Sequence, residues 1–134
     1  MKYKFLEHTA DIKFRAYGKT LEKAFENSVL AVSEILAKGK KVKNVKSKKV
    51  KIKANDEKEL LYSLIDEVIY LFDAEDFLVA SAKVKIKDRL IEVEFYGDDS
   101  KKYKDLDSIK AATYAEMEIK KNSKGYEVQA VVDV

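Results

Sequence analysis

Lys48-Lys49-Val50-Lys51-Ile52-Lys53-Ala54-Asn55-Asp56-Glu57-Lys58-Glu59-Leu60-Leu61 decides the fold class. Its first half alternates lysine with Val50 and Ile52, the period-two pattern of a strand with one wet face. Its second half changes period. Asp56-x-x-Glu59 has the form of a capping box, and the apolar positions that follow (Leu60, Leu61, Leu64, Ile65, Val68, Ile69, Phe72) recur at helical spacing. A strand thus runs directly into an amphipathic helix.

Upstream, Tyr3, Phe5 and the run Ile12 to Tyr17 alternate as strands, and Gly18 closes that unit. Thr20 caps a helix through Leu36, whose stripe is Leu21, Ala24, Phe25, Ser28, Val32, Ile35 and Leu36; Gly39 ends it. Downstream, strands are expected over Phe77 to Ile86 and Leu90 to Tyr96, joined by a tight turn at Lys87-Asp88-Arg89. Gly97 to Asp107 reads as an exposed loop. Two more strands, Ile109 to Ile119 and Tyr126 to Val132, flank a turn at Asn122 to Gly125. The expected order is β-β-α-β-α-β-β-β-β. That is an α+β fold: mostly antiparallel sheet, with two helices packed on it. No linker, repeat or low-complexity tract interrupts residues 1–134, so a single domain is expected.

The 134 residues include no Cys, one His and no Pro. Disulfides, thiolate metal sites and cysteine nucleophiles are therefore excluded, as are a His-rich zinc site and any two-histidine mechanism. No apolar stretch is long enough to span a bilayer and no signal-peptide pattern precedes the first strand, so a cytoplasmic protein without a membrane partner is expected. The 27 basic and 24 acidic residues nearly balance. This Lys- and Glu-rich composition without Cys resembles that of a thermophile.

The chain closes on Val131-Val132-Asp133-Val134 and opens with Glu7-His8-Thr9-Ala10-Asp11. An apolar final strand leaves two carboxylates at its tip, the Asp133 side chain and the α-carboxylate of Val134. If Asp11 comes near, three anions converge, and hard oxygen donors of that kind suit Ca²⁺ or Mg²⁺. By itself each residue also has a plainer reading. Asp11 and His8 precede a strand, where short polar side chains satisfy turn backbone groups. Asp133 reads as a solvated acid at a chain end. Lys110 shares a strand face with Ala112 and Tyr114, either facing water or offsetting nearby carboxylates. Asp66 and Glu67 are either paired acids for proton transfer or the solvent edge of their helix. From Lys38 to Lys53 every charged residue is lysine, which allows a phosphate-binding segment or a solvated strand face. No Gly-rich phosphate loop, Ser-His-Asp arrangement or nucleophile elbow is present.

Taken in order and with their separations, these pieces resemble the archease family over nearly the whole chain. They are Glu7-His8-Thr9-Ala10-Asp11, Gly18 with Leu21-Glu22-Lys23-Ala24-Phe25, Leu60-Leu61, Asp66-Glu67, Phe72, Lys110-Ala111-Ala112-Thr113-Tyr114 and Val132-Asp133-Val134. The resemblance implies a non-catalytic activator of the RtcB-type RNA ligase of tRNA splicing. Such a protein promotes guanylylation of the ligase from GTP, supports multiple turnover and broadens the nucleotide triphosphates accepted. It meets tRNA indirectly, through the ligase. The resemblance implies metal ligands at Asp11, Asp133 and Val134, with calcium or another divalent cation, and a role in activation for Lys110. His8, Asp66 and Glu67 are further candidates. Ala115 stands where many members carry His. The rival readings are an RNA-binding module working through the lysine-rich segment, a chaperone-like interaction protein, and a metal-dependent enzyme acting alone.

Overall fold

The computed structural model describes residues 1–7 and 10–134. Eight strands and two long helices run β1 (Tyr3–Leu6), β2 (Ile12–Gly18), α1 (Leu21–Ala37), β3 (Lys46–Lys53), α2 (Glu57–Glu75), β4 (Phe77–Lys87), β5 (Leu90–Asp99), β6 (Ala111–Ala112), β7 (Glu118–Asn122) and β8 (Gly125–Asp133). The strands form two antiparallel sheets. One has the order β1-β2-β8-β6, with β7 also paired to β8; the other has the order β3-β5-β4.

Both helices start where their caps predict. The Thr20 side chain accepts from the Lys23 N–H at 3.1 Å, and Asp56 accepts from Glu59 N–H at 2.8 Å. Each hydroxyl or carboxylate satisfies one of the orphan donors of a first turn. Each helix ends on a left-handed residue, Lys38 at φ 53° and Asp76 at φ 52°.

The helices lie between the sheets. α1 packs on β2 and β8 of the five-stranded sheet and on β4 of the other. That explains why its buried set is wider than one stripe and includes Ala31, Ser33 and Ala37 besides the expected apolar positions. Small residues on the added face let β4 approach. Ser33 donates its hydroxyl to the Val79 carbonyl, beside the irregularity where the β4–β5 register shifts between Val79 and Ser81. Glu26 of α1 accepts from Val84 N–H at 2.9 Å, satisfying a donor on the edge strand β4 that has no partner strand on that side. One hydrophobic core, with Phe14, Phe25, Phe95, Leu60, Leu64 and Leu78 fully or almost fully buried, is shared by both sheets and both helices.

Two expectations need correction. Residues 109–119 do not form one strand. β6 is only Ala111–Ala112, and β7 begins at Glu118, so Lys110 lies just outside a strand and not on a regular face with Ala112 and Tyr114. Side-chain chemistry makes the break. Thr113 donates to the Val131 carbonyl at 2.7 Å and accepts from Ala115 N–H at 3.2 Å; Glu116 takes φ 52°, and its carbonyl accepts from the buried Gln129 amide at 2.7 Å. Threonine and glutamine thus offer the backbone partners that outcompete the ladder.

The second correction concerns Gly97 to Asp107. The segment does not start as an exposed loop. β5 continues through Asp99, and Asp98 is 2% exposed. Burial pushes the Asp98 carboxyl up, but hydrogen bonds from Asp99 N–H (2.8 Å), Lys102 (3.1 Å) and the Tyr103 hydroxyl (2.9 Å) outweigh that and hold it below the usual 3.8.

The β7–β8 turn brings Gly125 hard against the backbone at the end of β2. Gly125 has φ 130°, and a Cβ there would collide with the Gly18 carbonyl oxygen. Gly125→Ala combines that contact with backbone strain. It is expected to cost at least ~2 kcal/mol, lowering Tm by roughly 6 °C or more, as read by thermal denaturation.

Candidate functional site

The central strand β8 brings the two ends of the chain together. On one side Ile12 of β2 pairs with Val132; on the other Ala112 of β6 pairs with the same Val132. One residue further along, Asp11 stands at the start of β2 and Asp133 at the end of β8, where Asp133 pairs with Ala111. The Lys110 N–H donates to the Asp133 carbonyl at 2.7 Å, which places Lys110 beside Val134. Asp11, Lys110, Asp133 and Val134 therefore occupy one end of the five-stranded sheet. Asp11 and Asp133 are half-buried; Lys110 and Val134 are exposed.

Alternation along β8 sends Val132, Ala130 and Val128 into the core and Asp133, Val131 and Gln129 to the face away from the helices. That outer face is not bare. Val131 is 1% exposed and Gln129 4%. The looped-out segment 113–117 covers them. Its Glu116 accepts from Lys13 at 3.1 Å, and Arg15 donates to the Gln129 side chain at 2.9 Å. The tip is thus walled by a hydrogen-bonded polar layer. Sequence reasoning missed Lys13, Arg15, Glu116 and Gln129, because nothing in a strand pattern reveals which loop folds over it. It also missed that the Tyr114 ring stacks on Tyr62 of α2, with centroids 4.3 Å apart, while remaining 53% exposed.

On its other side Asp11 lines an open cleft with Glu7, Glu34 and Asp107, against Lys38. Among the described residues, no group of three or more His, Cys, Asp or Glu side chains is close enough to hold a metal ion. Oxygen donors at the tip are two side-chain carboxylates, and the terminal carboxylate of Val134 would be a third. That set is hard and anionic, matched to calcium or magnesium, and smaller than the six to eight oxygens calcium takes. His8 lies outside the described residues.

Asp66 and Glu67 stand apart. Asp66 is exposed on α2. Glu67 is half-buried, and its charged neighbours are Lys48, Glu75 and Asp66, none of them a tip residue. Lys48 is engaged by Glu75.

The Archease protein family (MTH1598/TM1083) matches residues 3–134. The chain belongs to the archease family. Archeases of Methanosarcina barkeri and Pyrobaculum neutrophilum are 35% and 38% identical to it, over 99% and 98% of this chain and 96% and 95% of theirs. The solution structure of Methanobacterium thermoautotrophicum protein 1598 superposes with a TM-score of 0.79 at 28% identity, covering 98% of each chain. The crystal structure of a Thermotoga maritima protein, described as an archease and possible chaperone, shares the fold, with a TM-score of 0.63 at 18% identity over 96% of this chain and 94% of that one. The archease fold of two helices and two antiparallel sheets is therefore the fold expected from sequence. Among the described residues no helix is long and apolar enough to cross a membrane.

Burial, more than the neighbouring acids Glu75 and Asp66, raises the Glu67 carboxyl above its usual 4.5, against the pull of Lys48. A raised acid contributes stability that is fully present below the unfolded value and lost as pH rises through the folded one. Glu67→Gln is therefore expected to raise Tm slightly at neutral pH. The gain should vanish below the ordinary glutamate range, and solvent screening keeps it under ~1 kcal/mol. Paired melts at neutral and acid pH check both the sign and the window.

Proposed function

We propose that this archease is a non-catalytic activator of an RtcB-type RNA ligase. In this reading it promotes guanylylation and multiple turnover of the ligase and broadens its use of nucleotide triphosphates. The observation that carries the reading is the double pairing of Val132, with Ile12 on one side and Ala112 on the other. That pairing supports a functional tip: residues far apart in the chain, two of them acids and one a lysine, share one exposed end of the sheet.

Asp11, Asp133 and the terminal carboxylate of Val134 would hold calcium or another divalent cation. Such an ion supplies positive charge for the phosphates of a nucleotide or for a partner's metal centre. The chain's own residues do the rest. The β2–β8 and β6–β8 ladders hold the Asp11 and Asp133 backbones in register. The layer of Lys13, Glu116, Arg15 and Gln129 braces the face from which Asp133 projects. Lys110, exposed beside Val134, offsets negative charge or meets a phosphate. An incomplete donor set suits this role, because the remaining coordination is left to the partner.

Asp11→Asn and Asp133→Asn should each stay folded and lower stimulation of ligase guanylylation by at least the ~10–100-fold that loss of a supporting metal-site group costs. The assay compares rates of ligase–GMP formation, with and without each variant, at limiting metal. Undiminished stimulation by both variants sinks the proposal. Residues added after Val134 turn its carboxylate into a peptide; calorimetry should then find weaker calcium binding than with the same residues added before Met1. Equal affinity removes Val134 from the ligand set.

The description of the Thermotoga maritima protein as a possible chaperone supplies a rival reading. It requires suppression of aggregation for unrelated proteins, indifferent to Asp11 and Asp133. Of the large exposed apolar residues described, Phe5 lies in β1, Tyr70 on α2, and Met1, Val45, Tyr114 and Val134 outside the strands and helices, so they gather on no one element, which favours the tip.

A further inference from the structure

The three-stranded sheet turns one face to the core and the other to solvent. Its register makes the outer face a charge lattice. Lys49, Glu94 and Lys83 form one cross-strand row, Lys51, Glu92 and Lys85 the next, and Lys53, Leu90 and Lys87 a third. All six lysines are exposed. Neighbouring rows are about 6.8 Å apart along a strand, and the two lysine columns roughly 9.6 Å apart across β5. Six lysines against two glutamates leave this one face at +4 on a chain of net charge +3, so the rest of the molecule sums to −1. A nearly neutral protein thus carries its positive excess on a single sheet face.

The two glutamates do little to neutralise it. Glu94 accepts the Tyr96 hydroxyl at 2.7 Å, and among the described residues Glu92 meets only Lys51, at 3.9 Å. Lys49, Lys53, Lys83, Lys85 and Lys87 make no ion pair within 4 Å among the described residues.

We propose that this face docks the sugar-phosphate backbone of a nucleic acid. Two observations favour that occupant over an acidic protein or a membrane. Interface cores between proteins are depleted in lysine and anchored by aromatic side chains, whereas this face offers point charges on flexible stems. Among the large exposed apolar residues described, only Val45 comes near it, one residue before β3, and the Leu90 and Tyr96 side chains on its central strand are half-buried, so it offers little anchor for a protein pocket or for insertion into lipid. Rows of mobile ammonium groups suit a repeating polyanion, read by charge and not by sequence. The proposal is independent of the acidic tip, which is built on the other sheet.

Fluorescence anisotropy with a labelled tRNA transcript and a DNA hairpin tests it on the full chain. The expected result is sequence-independent binding of both in the ~10⁻⁴–10⁻⁶ M range, with log K falling against log salt at a slope of about −3 to −5. Changing Lys49, Lys51, Lys83 and Lys85 together to Gln should weaken binding at least ~30-fold and flatten the slope, with Tm held. Glu92→Gln should tighten it. The proposal is overturned by binding too weak to saturate at low salt, by undiminished binding of the fourfold variant, or by an equal loss from Lys40, Lys41 and Lys43 changed to Gln. Preference for anionic vesicles or poly-glutamate over both nucleic acids also overturns it. Lysines that merely protect the edge strands β3 and β4 from pairing would give the first of these outcomes.

Discussion

Antiparallel pairing of β2 with β8 joins Ile12–Gly18 to Tyr126–Val132, more than a hundred residues away in the chain. The entropy of closing so long a loop grows only slowly with its length, but it must be met before any contact rewards it. The reward is large. Phe14, Ala16, Val128, Ala130 and Val132 are all fully buried along this pair of strands. Register follows from that burial, since a slip of β2 by one residue would turn Phe14 outward and bring Lys13 into the core, and a slip of β8 would do the same with Val132 and Asp133. Placement of Asp11 beside Asp133 is thus a by-product of hydrophobic packing. The tip inherits its geometry from the core beneath it.

A second consequence of the same architecture is the freedom of the outer sheet faces. Both helices are sandwiched between the sheets, so each sheet needs only one apolar face. On the three-stranded sheet the inner rows include Val50-Val93-Val84, Ile52-Ile91-Ile86 and, through Phe95 and Ala82, the row beyond them, and packing demands stop at that face. The outer rows are constrained only by solubility and cross-strand pairing. On the five-stranded sheet the outer face is partly recovered by the 113–117 segment, whose backbone and side chains bond Lys13, Gln129 and Val131. Polar bonds there replace a second apolar layer.

Elements governed by period and capping were legible in sequence. The change of pattern at Asn55–Asp56 marked the entry to α2, and Asp56 caps it as read; Glu59 reaches back to Asn55 instead of closing a reciprocal box. Both tight hairpin turns were found, because Asp88 and Gly125 hold the left-handed conformations those turns demand. What failed was governed by side chains distant in sequence. Residues 109–119 alternate well enough to read as one strand, and only Gln129, reaching Glu116, and Thr113, reaching Val131, reveal the break. Asp98 sits in an acidic and basic run typical of a loop, yet Lys102 and Tyr103 let it be buried as an ion. For the tip, sequence supplied the residues, and the register supplied their meeting. Glu67 shares its helix with the core but faces the Lys48–Glu75 pair, while Asp66 is exposed, directions that spacing alone leaves undetermined.

Charge is distributed along the same lines. The acids at the tip end, Glu7, Asp11, Glu34, Asp107 and Asp133, gather at one end of the five-stranded sheet, while the lysine lattice covers the outward face of the other. Net charge near zero conceals this separation entirely. The lysine columns stand on β3 and β4, the two edges of their sheet, and the glutamates on the central β5, so every row carries its positive charges on the outside. If neutralisation were the only demand, one glutamate per lysine across the sheet would suffice. Two glutamates to six lysines instead leave a surplus that any polyanion approaching the sheet would meet first. A molecule built this way presents an acidic end and a basic face at once, because a shared core holds the two sheets apart.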